Sequence, residues 1–242
     1  MDNKRNDHLV LICGMSGTGK SASLMNLKNP EGVMYLNTEA GKRLPFKSKF
    51  KEYTITDPHQ IPDAFNHAEG MDNIHTIVID SLVMMMDMFE SKYIIGSANS
   101  MQGWSAYSQF FKNLMNQSVA SSTKNTIFTS HVMDILNDKE MSMERLVKVK
   151  GSLMNTSIEA FFSVVIATKK MPLNKLEKYT NDLLIITEED KLLGFKYVFQ
   201  VKLTKDTINE RIRGPLGMWN TNETYIDNCA QKLLNRLKDY YN

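Results

Sequence analysis

An α/β fold with a mostly parallel central sheet flanked by helices is the class that this sequence predicts. Apolar segments typical of buried strands alternate with segments of helical periodicity, as they do in parallel sheets. The first predicted strand, at residues 8–13, runs directly into a glycine-rich segment that a predicted helix follows. Beyond residue 160 short apolar segments predominate, which predicts a β-rich C-terminal extension of the same sheet.

The individual elements follow from periodicity and turn residues. Short apolar runs predict buried strands, whereas apolar residues three and four apart predict helices. The predicted strands cover residues 8–13, 32–37, 53–55, 74–80, 125–130, 161–168, 183–187 and 195–203. The predicted helices cover residues 22–27, 62–68, 84–93, 104–120 and 226–240, and a loop is predicted at residues 94–103.

The composition indicates a globular protein. With 242 residues, of which 42% are hydrophobic and 23% charged, the chain is predicted to form one domain over residues 1–242. A net charge of +2 neither requires nor excludes a nucleic-acid partner. No apolar run approaches the roughly 20 residues of a membrane span, so no membrane partner is expected. The two cysteines, Cys13 and Cys229, lack metal-binding or disulfide spacing, which indicates a cytoplasmic location.

The most specific motif is GxxxxGKS, which begins at Gly14 and ends at Ser21. Its position between a strand and a helix suits phosphate binding, because glycines let backbone N–H groups turn towards an anion at the positive end of the helix dipole. Lys20 is expected to reach the β- and γ-phosphates, and the Ser21 hydroxyl is expected to bind Mg²⁺. The motif therefore predicts a site for ATP with Mg²⁺. The predicted nucleotide-binding residues are Gly14, Met15, Ser16, Gly17, Thr18, Gly19, Lys20, Ser21 and Ala22.

Two acidic residues follow predicted strands of the same sheet. Asp80 ends the apolar strand 74–80, at the edge where α/β sheets bind ligands, and its carboxylate is expected to hold Mg²⁺ through water. Glu39 follows the strand at residues 32–37 and is the candidate carboxylate that orients or deprotonates the attacking water. The alternative for Glu39 is a solvated loop residue, as most exposed glutamates are.

These motifs together resemble the ATPase core of RecA-type recombinases. The resemblance rests on MYLNTE ending at Glu39, IVIDS around Asp80 and TIFTSH ending at His131, and it covers residues 8–214. Within that superfamily the chain is most similar to the small phage-encoded RecA-like proteins of the Sak type, which are associated with single-strand annealing and recombination. The resemblance implies a RecA-like P-loop NTPase core in which Lys20 and Glu39 are catalytic and His131 stands at the position of a γ-phosphate sensor, often glutamine. For His131 a structural role remains open.

The resemblance also implies a single-stranded DNA partner. In such proteins the loops after these strands point towards DNA, and here they would be residues 91–103 and 133–152. The second loop contains the candidate DNA-binding residues Arg145, Lys148 and Lys150. The alternation of residues 146–150 is equally typical of an exposed strand whose lysines face water. A single-strand binding protein is a further expected partner.

A basic segment near the C-terminal end resembles the one that supplies cations across subunit interfaces in this superfamily. Its candidates for trans action on the γ-phosphate lie on a predicted β-hairpin and are Lys202, Lys205, Arg211 and Arg213. The resemblance implies a homo-oligomer, ring or filament, with nucleotide at the subunit interfaces. The alternative is a basic hairpin that is simply exposed to solvent.

The function that these features predict is a Mg²⁺-dependent ATP hydrolase, stimulated by single-stranded DNA, in phage recombination, annealing or replication. The cytoplasm of an infected bacterial host is the expected location. Three alternatives remain open: a hexameric helicase-like motor, a small-molecule kinase and a non-catalytic nucleotide switch. The kinase is disfavoured because residues 126–170 contain no arginine-rich lid.

Overall fold

The structure, a computed structural model, describes residues 6–241, and within them nine strands form one mixed sheet. Residues 1–5 and 242, which the single-domain prediction includes, lie outside the described part. The strands are β1 (Leu9–Gly14), β2 (Val33–Asn37), β3 (Lys51–Thr54), β4 (Thr76–Asp80), β5 (Asn125–Asn137), β6 (Ser142–Val147), β7 (Val164–Pro172), β8 (Phe195–Gln200) and β9 (Tyr225–Asp227). The helices are α1 (Gln60–Glu69), α2 (Leu82–Tyr93), α3 (Ser100–Asn113), α4 (Ser152–Asn155), α5 (Leu173–Leu176), α6 (Glu188–Leu193) and α7 (Ala230–Tyr241).

The strand order is β3-β2-β4-β5-β1-β7-β8-β9, and β6 pairs with β5 outside this path. The six strands that follow one another in space as β3-β2-β4-β5-β1-β7 pair in parallel. The pairs β5–β6, β7–β8 and β8–β9 are antiparallel. This architecture confirms the predicted α/β class with a mostly parallel sheet. Because β1, β2, β4 and β5 are parallel, their carboxyl ends lie along one edge, where ligands of α/β sheets bind.

Two apolar layers cover the sheet, because successive side chains of a strand point to opposite faces. On β1, Leu9 and Leu11 pack with α1, α2 and α3 on one face, and Val10 and Ile12 pack with α7 on the other. The central strands β1 and β4 are buried along their whole length. A core on both faces holds the strand ends at the carboxyl edge in fixed relative positions.

Several predicted elements differ from the observed ones. The predicted helix 22–27 is only a 3₁₀ turn at Ser21–Leu24, and the predicted loop 133–152 consists mainly of the hairpin between β5 and β6. The predicted helix 104–120 begins earlier, at α3, and ends in a π-helical turn, Leu114–Val119. The strand predicted at 183–187 is wrong, since this segment precedes α6 without strand pairing.

The segment carrying the trans candidates is not the predicted hairpin. Lys202 and Lys205 follow β8 in a series of turns, in which Thr207 Oγ1 accepts from the backbone N–H of Thr204 at 2.9 Å. Further along, Glu210 and Arg213 form only isolated bridges, to Arg145 of β6 and Val165 of β7. Local side-chain bonds and contacts with other strands therefore replace the expected pairing within the segment.

We predict that Phe128→Ala lowers the free energy of unfolding by about 3–5 kcal/mol, because it removes a fully buried ring from the centre of the core. Phe128 lies on β5 and makes an edge-to-face contact with Phe162, at 5.3 Å between ring centroids. Urea denaturation measures the effect. Met101→Ala, at a position that is 83% exposed, is the control and should change the stability little. A loss below 1 kcal/mol for Phe128→Ala would contradict this packing.

Candidate functional site: a nucleotide cleft at the carboxyl edge of the sheet

The glycine-rich loop after β1 is held closely against neighbouring elements. Gly19 has a positive φ of 96°, which favours glycine, and a Cβ there would lie 2.5 Å from Asn228 Nδ2. The preceding residue is also held, since Thr18 Oγ1 lies 2.6 Å from Thr168 Oγ1 of β7. Lys20 is buried, and its ammonium group donates to the carbonyl oxygens of Gly14 and Met15, each at 3.0 Å. The loop and its lysine thus form a compact unit at the end of β1.

Asp80 lies at the end of β4 and accepts hydrogen bonds from hydroxyl groups on three other segments. Ser21 Oγ donates to Asp80 Oδ2 at 2.7 Å, and the Tyr35 hydroxyl of β2 donates to the same oxygen at 2.8 Å. Thr129 of β5 donates to Oδ1. Burial and the charge of Asp80 raise the pKa of Tyr35, which therefore remains a protonated donor. A hydroxyl and a carboxylate at hydrogen-bond distance are the hard oxygen groups that suit Mg²⁺.

A tight turn after β2 directs Glu39 back towards the loop. Asn37 Oδ1 accepts from the Glu39 backbone N–H at 2.9 Å, and Asn37 Nδ2 donates to the Lys42 carbonyl at 2.8 Å. Gly41, with a φ of 76°, occupies the left-handed position within this turn. The Glu39 side chain is only 11% exposed, so the solvated-loop alternative is wrong.

Glu39 and Lys20 approach His131 from opposite sides. The Nδ1 atom of His131 lies 3.4 Å from Lys20 Nζ, and its Nε2 lies 3.9 Å from Glu39 Oε1. Lys42 forms an ion pair with Glu39 at 2.7 Å. His131 and Lys42 hold the pKa of Glu39 at about 2, against the effect of partial burial. Glu39 is therefore ionised throughout the physiological pH range. For Lys20, burial is the main cause that lowers the pKa, and nearby Asp80 and Glu39 oppose it.

One cleft of about 760 Å³ is lined by Lys20, Ser21, Glu39, Lys42 and His131, and Asp80 lies behind it in contact with Ser21. The loop, Glu39 and His131 form one side of it, and α6, β8 and the start of α7 contribute the other. Sequence reasoning missed Tyr197 and Asn228, of which Asn228 Nδ2 donates to the Gly19 carbonyl at 2.9 Å. Both come from a part of the chain far from the loop, and no local pattern connects them with it. Lys42 was also missed, although it lies in the glycine turn after Glu39.

The candidate DNA-binding residues lie on or beside the β5–β6 hairpin, with different partners. Arg145 makes a two-pronged ion pair with Asp134, at 2.7 and 3.0 Å, so its charge is already compensated within the chain. Lys150 pairs with Glu90 and with Asp87 of α2. Lys148 is exposed, and its backbone N–H donates to the His131 carbonyl at 3.0 Å. Of these three, Lys148 is best placed to meet an external phosphate.

The four candidates for trans action are spread over the segment after β8. Arg211 bonds to Glu144 at 2.8 Å and to Ser157 at 2.6 Å, and Lys202 donates to the Trp219 carbonyl at 3.2 Å. Lys205 and Arg213 are exposed. None of the four lines the nucleotide cleft of this chain. Lys205 and Arg213 are the two whose side chains face solvent.

The fold and the cleft define the class of protein, an α/β P-loop NTPase core. A family model described as "AAA domain" matches residues 7–192, more than half of the chain. The chain belongs to this family, and it is an ATP-hydrolysing NTPase of the AAA type. Members of this class bind nucleotide, typically with Mg²⁺. None of the curated proteins matches the chain. Across residues 6–241, no helix combines the length and apolar character needed to cross a membrane.

We predict a pH-dependent stability effect for Glu39→Gln. Because the folded-state pKa of about 2 is lower than the ordinary 4.5, ionised Glu39 stabilises the fold above pH 4.5, and this contribution is lost as the pH falls through 2. The variant should therefore be less stable than wild type at pH 7, by an amount that shrinks below pH 4.5. Urea denaturation between pH 7 and pH 3 measures it. Glu188→Gln, whose side chain is 89% exposed and lies outside the cleft, is the control. A difference independent of pH would contradict the contacts assigned to Glu39.

Proposed function

We propose that this chain is a DNA-dependent ATPase of the RecA core type that acts in phage recombination, single-strand annealing or replication. The observation that carries the proposal is the position of His131. This residue lies between Lys20 and Glu39 in the cleft, and its carbonyl accepts from Lys148 at the base of the β5–β6 hairpin. One residue therefore touches both the phosphate end of the cleft and the candidate DNA-binding element.

The residues of the cleft suit hydrolysis of the γ-phosphate. Lys20 exchanges its two carbonyl acceptors for phosphate oxygens and neutralises their charge. Ser21 and Asp80 would hold Mg²⁺, which would supply positive charge to offset that of the β- and γ-phosphates. Glu39, with a pKa of about 2, acts chiefly by accepting a hydrogen bond from the attacking water and orienting it. The water oxygen attacks the γ-phosphorus while the bond from that phosphorus to the bridging oxygen of ADP breaks, and the excess proton of the water passes through the phosphate to solvent as ADP and inorganic phosphate leave.

Coupling to DNA follows from the same contacts. A γ-phosphate bound to Lys20 would change the charge and the hydrogen-bond partners next to Nδ1 of His131, while Glu39 lies next to Nε2. Because His131 belongs to β5, a shift of its ring or backbone acts directly on the hairpin that β5 forms with β6. Nucleotide binding would thereby alter the presentation of Lys148 to single-stranded DNA, and hydrolysis would reverse it.

The proposal includes a homo-oligomer with nucleotide at subunit interfaces, as a ring or a filament. Four lysines line the cleft, and three of them, Lys42, Lys196 and Lys232, are already paired with carboxylates. Lys205 and Arg213, in contrast, face solvent in the segment after β8. A neighbouring copy could bring such cations to the γ-phosphate. The Sak-type resemblance gives the biological setting, and a single-strand binding protein is the proposed accessory partner.

The first test uses two variants of the cleft. Lys20→Ala should abolish ATP binding or turnover, because its buried ammonium group lies at the phosphate loop, 3.0 Å from the carbonyl oxygens of Gly14 and Met15, where it is expected to bind the phosphates. Glu39→Gln should bind ATP but lower kcat by about 10²-fold or more, because the water loses its carboxylate. Equilibrium binding of a fluorescent ATP analogue and phosphate release measure the two effects. Near-normal turnover in either variant would contradict the role of that residue. Phosphate transfer to a small acceptor instead of water would favour the kinase alternative.

The second test concerns the hairpin. The double substitution Lys148→Ala and Lys150→Ala should weaken binding of a fluorescent oligo(dT) and reduce its dependence on salt, because it removes two positive charges beside the hairpin. Lys148→Ala should account for most of the effect, since Lys150 is already paired with Glu90. Lys124→Ala is the matched control, because Lys124 precedes β5 at the opposite edge of the sheet. Unchanged affinity and salt dependence in the double variant would move the DNA site elsewhere.

A further inference from the structure

The environment of Asp80 contains two hydroxyl groups that nucleotide binding does not use. β4 lies between β2 and β5, and each of these neighbouring strands contributes one hydroxyl to its terminal carboxylate. Tyr35 of β2 is 3% exposed and donates to Oδ2 at 2.8 Å, and Thr129 of β5 is 0% exposed and donates to Oδ1. Both carboxylate oxygens are thus held from flanking strands, while Ser21 approaches Oδ2 from the phosphate loop.

Both residues place a hydroxyl group inside a buried strand. The segments VMYLN of β2 and NTIFTS of β5 are buried at nearly every position, and an apolar side chain would fill the space of either hydroxyl without desolvation cost. A buried hydroxyl without a partner costs free energy, so each depends on Asp80 as its acceptor. Asp80 in turn is 2% exposed and relies on these donors rather than on water. In this buried network the two hydroxyl groups have Asp80 as their hydrogen-bond acceptor, and Asp80 has them as donors.

We propose that Tyr35 and Thr129 are positioning residues for Mg²⁺, because they fix the orientation of the Asp80 carboxylate. A carboxylate has about four lone-pair sites, and the two strand hydroxyls and Ser21 use three of them. The two strand hydroxyls restrict rotation of the carboxylate. The lone pair that remains free for Mg²⁺ or its bound water therefore has a direction fixed by the fold. Hydrogen bonds of this kind to a metal-binding carboxylate orient it and typically contribute 10–100-fold in metal affinity.

This inference rests on the proposed function, because it assigns Asp80 to Mg²⁺. It adds that the three hydroxyl groups bonded to Asp80 have different roles. Ser21 lines the cleft and belongs to the metal site itself, whereas the hydroxyls of Tyr35 and Thr129 donate to the Asp80 carboxylate behind it and so act through Asp80. Their loss should therefore change the concentration of Mg²⁺ that the protein requires and leave metal-free nucleotide binding unchanged.

The experiment measures equilibrium binding of a fluorescent, non-hydrolysable ATP analogue to the full chain as Mg²⁺ is varied. Tyr35→Phe and Thr129→Val each remove one hydroxyl and nearly preserve shape. We expect each to raise the half-saturating Mg²⁺ concentration by about 10-fold or more. Excess Mg²⁺ should restore wild-type affinity, and affinity without Mg²⁺ should equal that of wild type. Thr129→Ser, which keeps the hydroxyl, should retain the wild-type Mg²⁺ requirement even if its loss of a methyl group lowers the melting temperature.

Two matched controls remove equivalent groups elsewhere. Tyr225→Phe changes a buried tyrosine on β9, and Thr126→Val changes a fully buried threonine on β5 whose hydroxyl donates to the Lys124 carbonyl. Both should keep the wild-type Mg²⁺ requirement. A wild-type requirement in Tyr35→Phe and Thr129→Val would overturn this inference alone. Wild-type nucleotide affinity that does not respond to Mg²⁺ would overturn the metal site of the proposed function as well.

Discussion

The hydrogen bond from Ser21 to Asp80 is the contact on which the arrangement of the site depends. It is 2.7 Å long and joins the phosphate loop after β1 to the end of β4, although β5 lies between these strands. The bond is possible because the three strands are parallel and end at the same edge, where Thr129 of β5 also reaches Asp80. A register shift of one residue in β4 would turn Asp80 to the opposite face and separate the two halves of the site.

The strand β2 brings the proposed water-orienting carboxylate to the same edge of the sheet. Its end is tied to the end of β4, because the Thr38 hydroxyl accepts from the Ser81 N–H at 2.7 Å and donates to the Ser81 carbonyl at 2.8 Å. The turn that follows then returns Glu39 towards His131 and Lys42. Glu39, His131 and Lys20 consequently lie in sequence across the cleft, from the turn after β2 to the phosphate loop. This order connects the proposed water-orienting carboxylate with the hairpin that carries Lys148.

The parts of the structure that the sequence predicted are those with strong local patterns. The glycine motif ending at Ser21 and the strand ending at Asp80 each carry their signal within fewer than ten residues. The β5–β6 hairpin was missed because its pairing joins residues whose side chains are mostly half-exposed and carry little periodicity. The segment 183–187 has the apolar run of a strand, but it packs by side chains near Tyr225 instead of pairing. Tyr197 and Asn228 could not be assigned to the cleft, since only tertiary contacts bring them there. Lys42, by contrast, lies three residues after Glu39 in the same turn, so its position was available from the sequence.

The proposed coupling of the cleft to DNA is tested most directly by ATP turnover of the wild-type protein, measured as phosphate release with Mg²⁺ in the presence and absence of a single-stranded oligonucleotide. If His131 connects the γ-phosphate site with the β5–β6 hairpin, the oligonucleotide raises kcat and the increase declines as added salt weakens DNA binding. ATP turnover that is the same with and without DNA, at low salt and saturating oligonucleotide, would contradict the account.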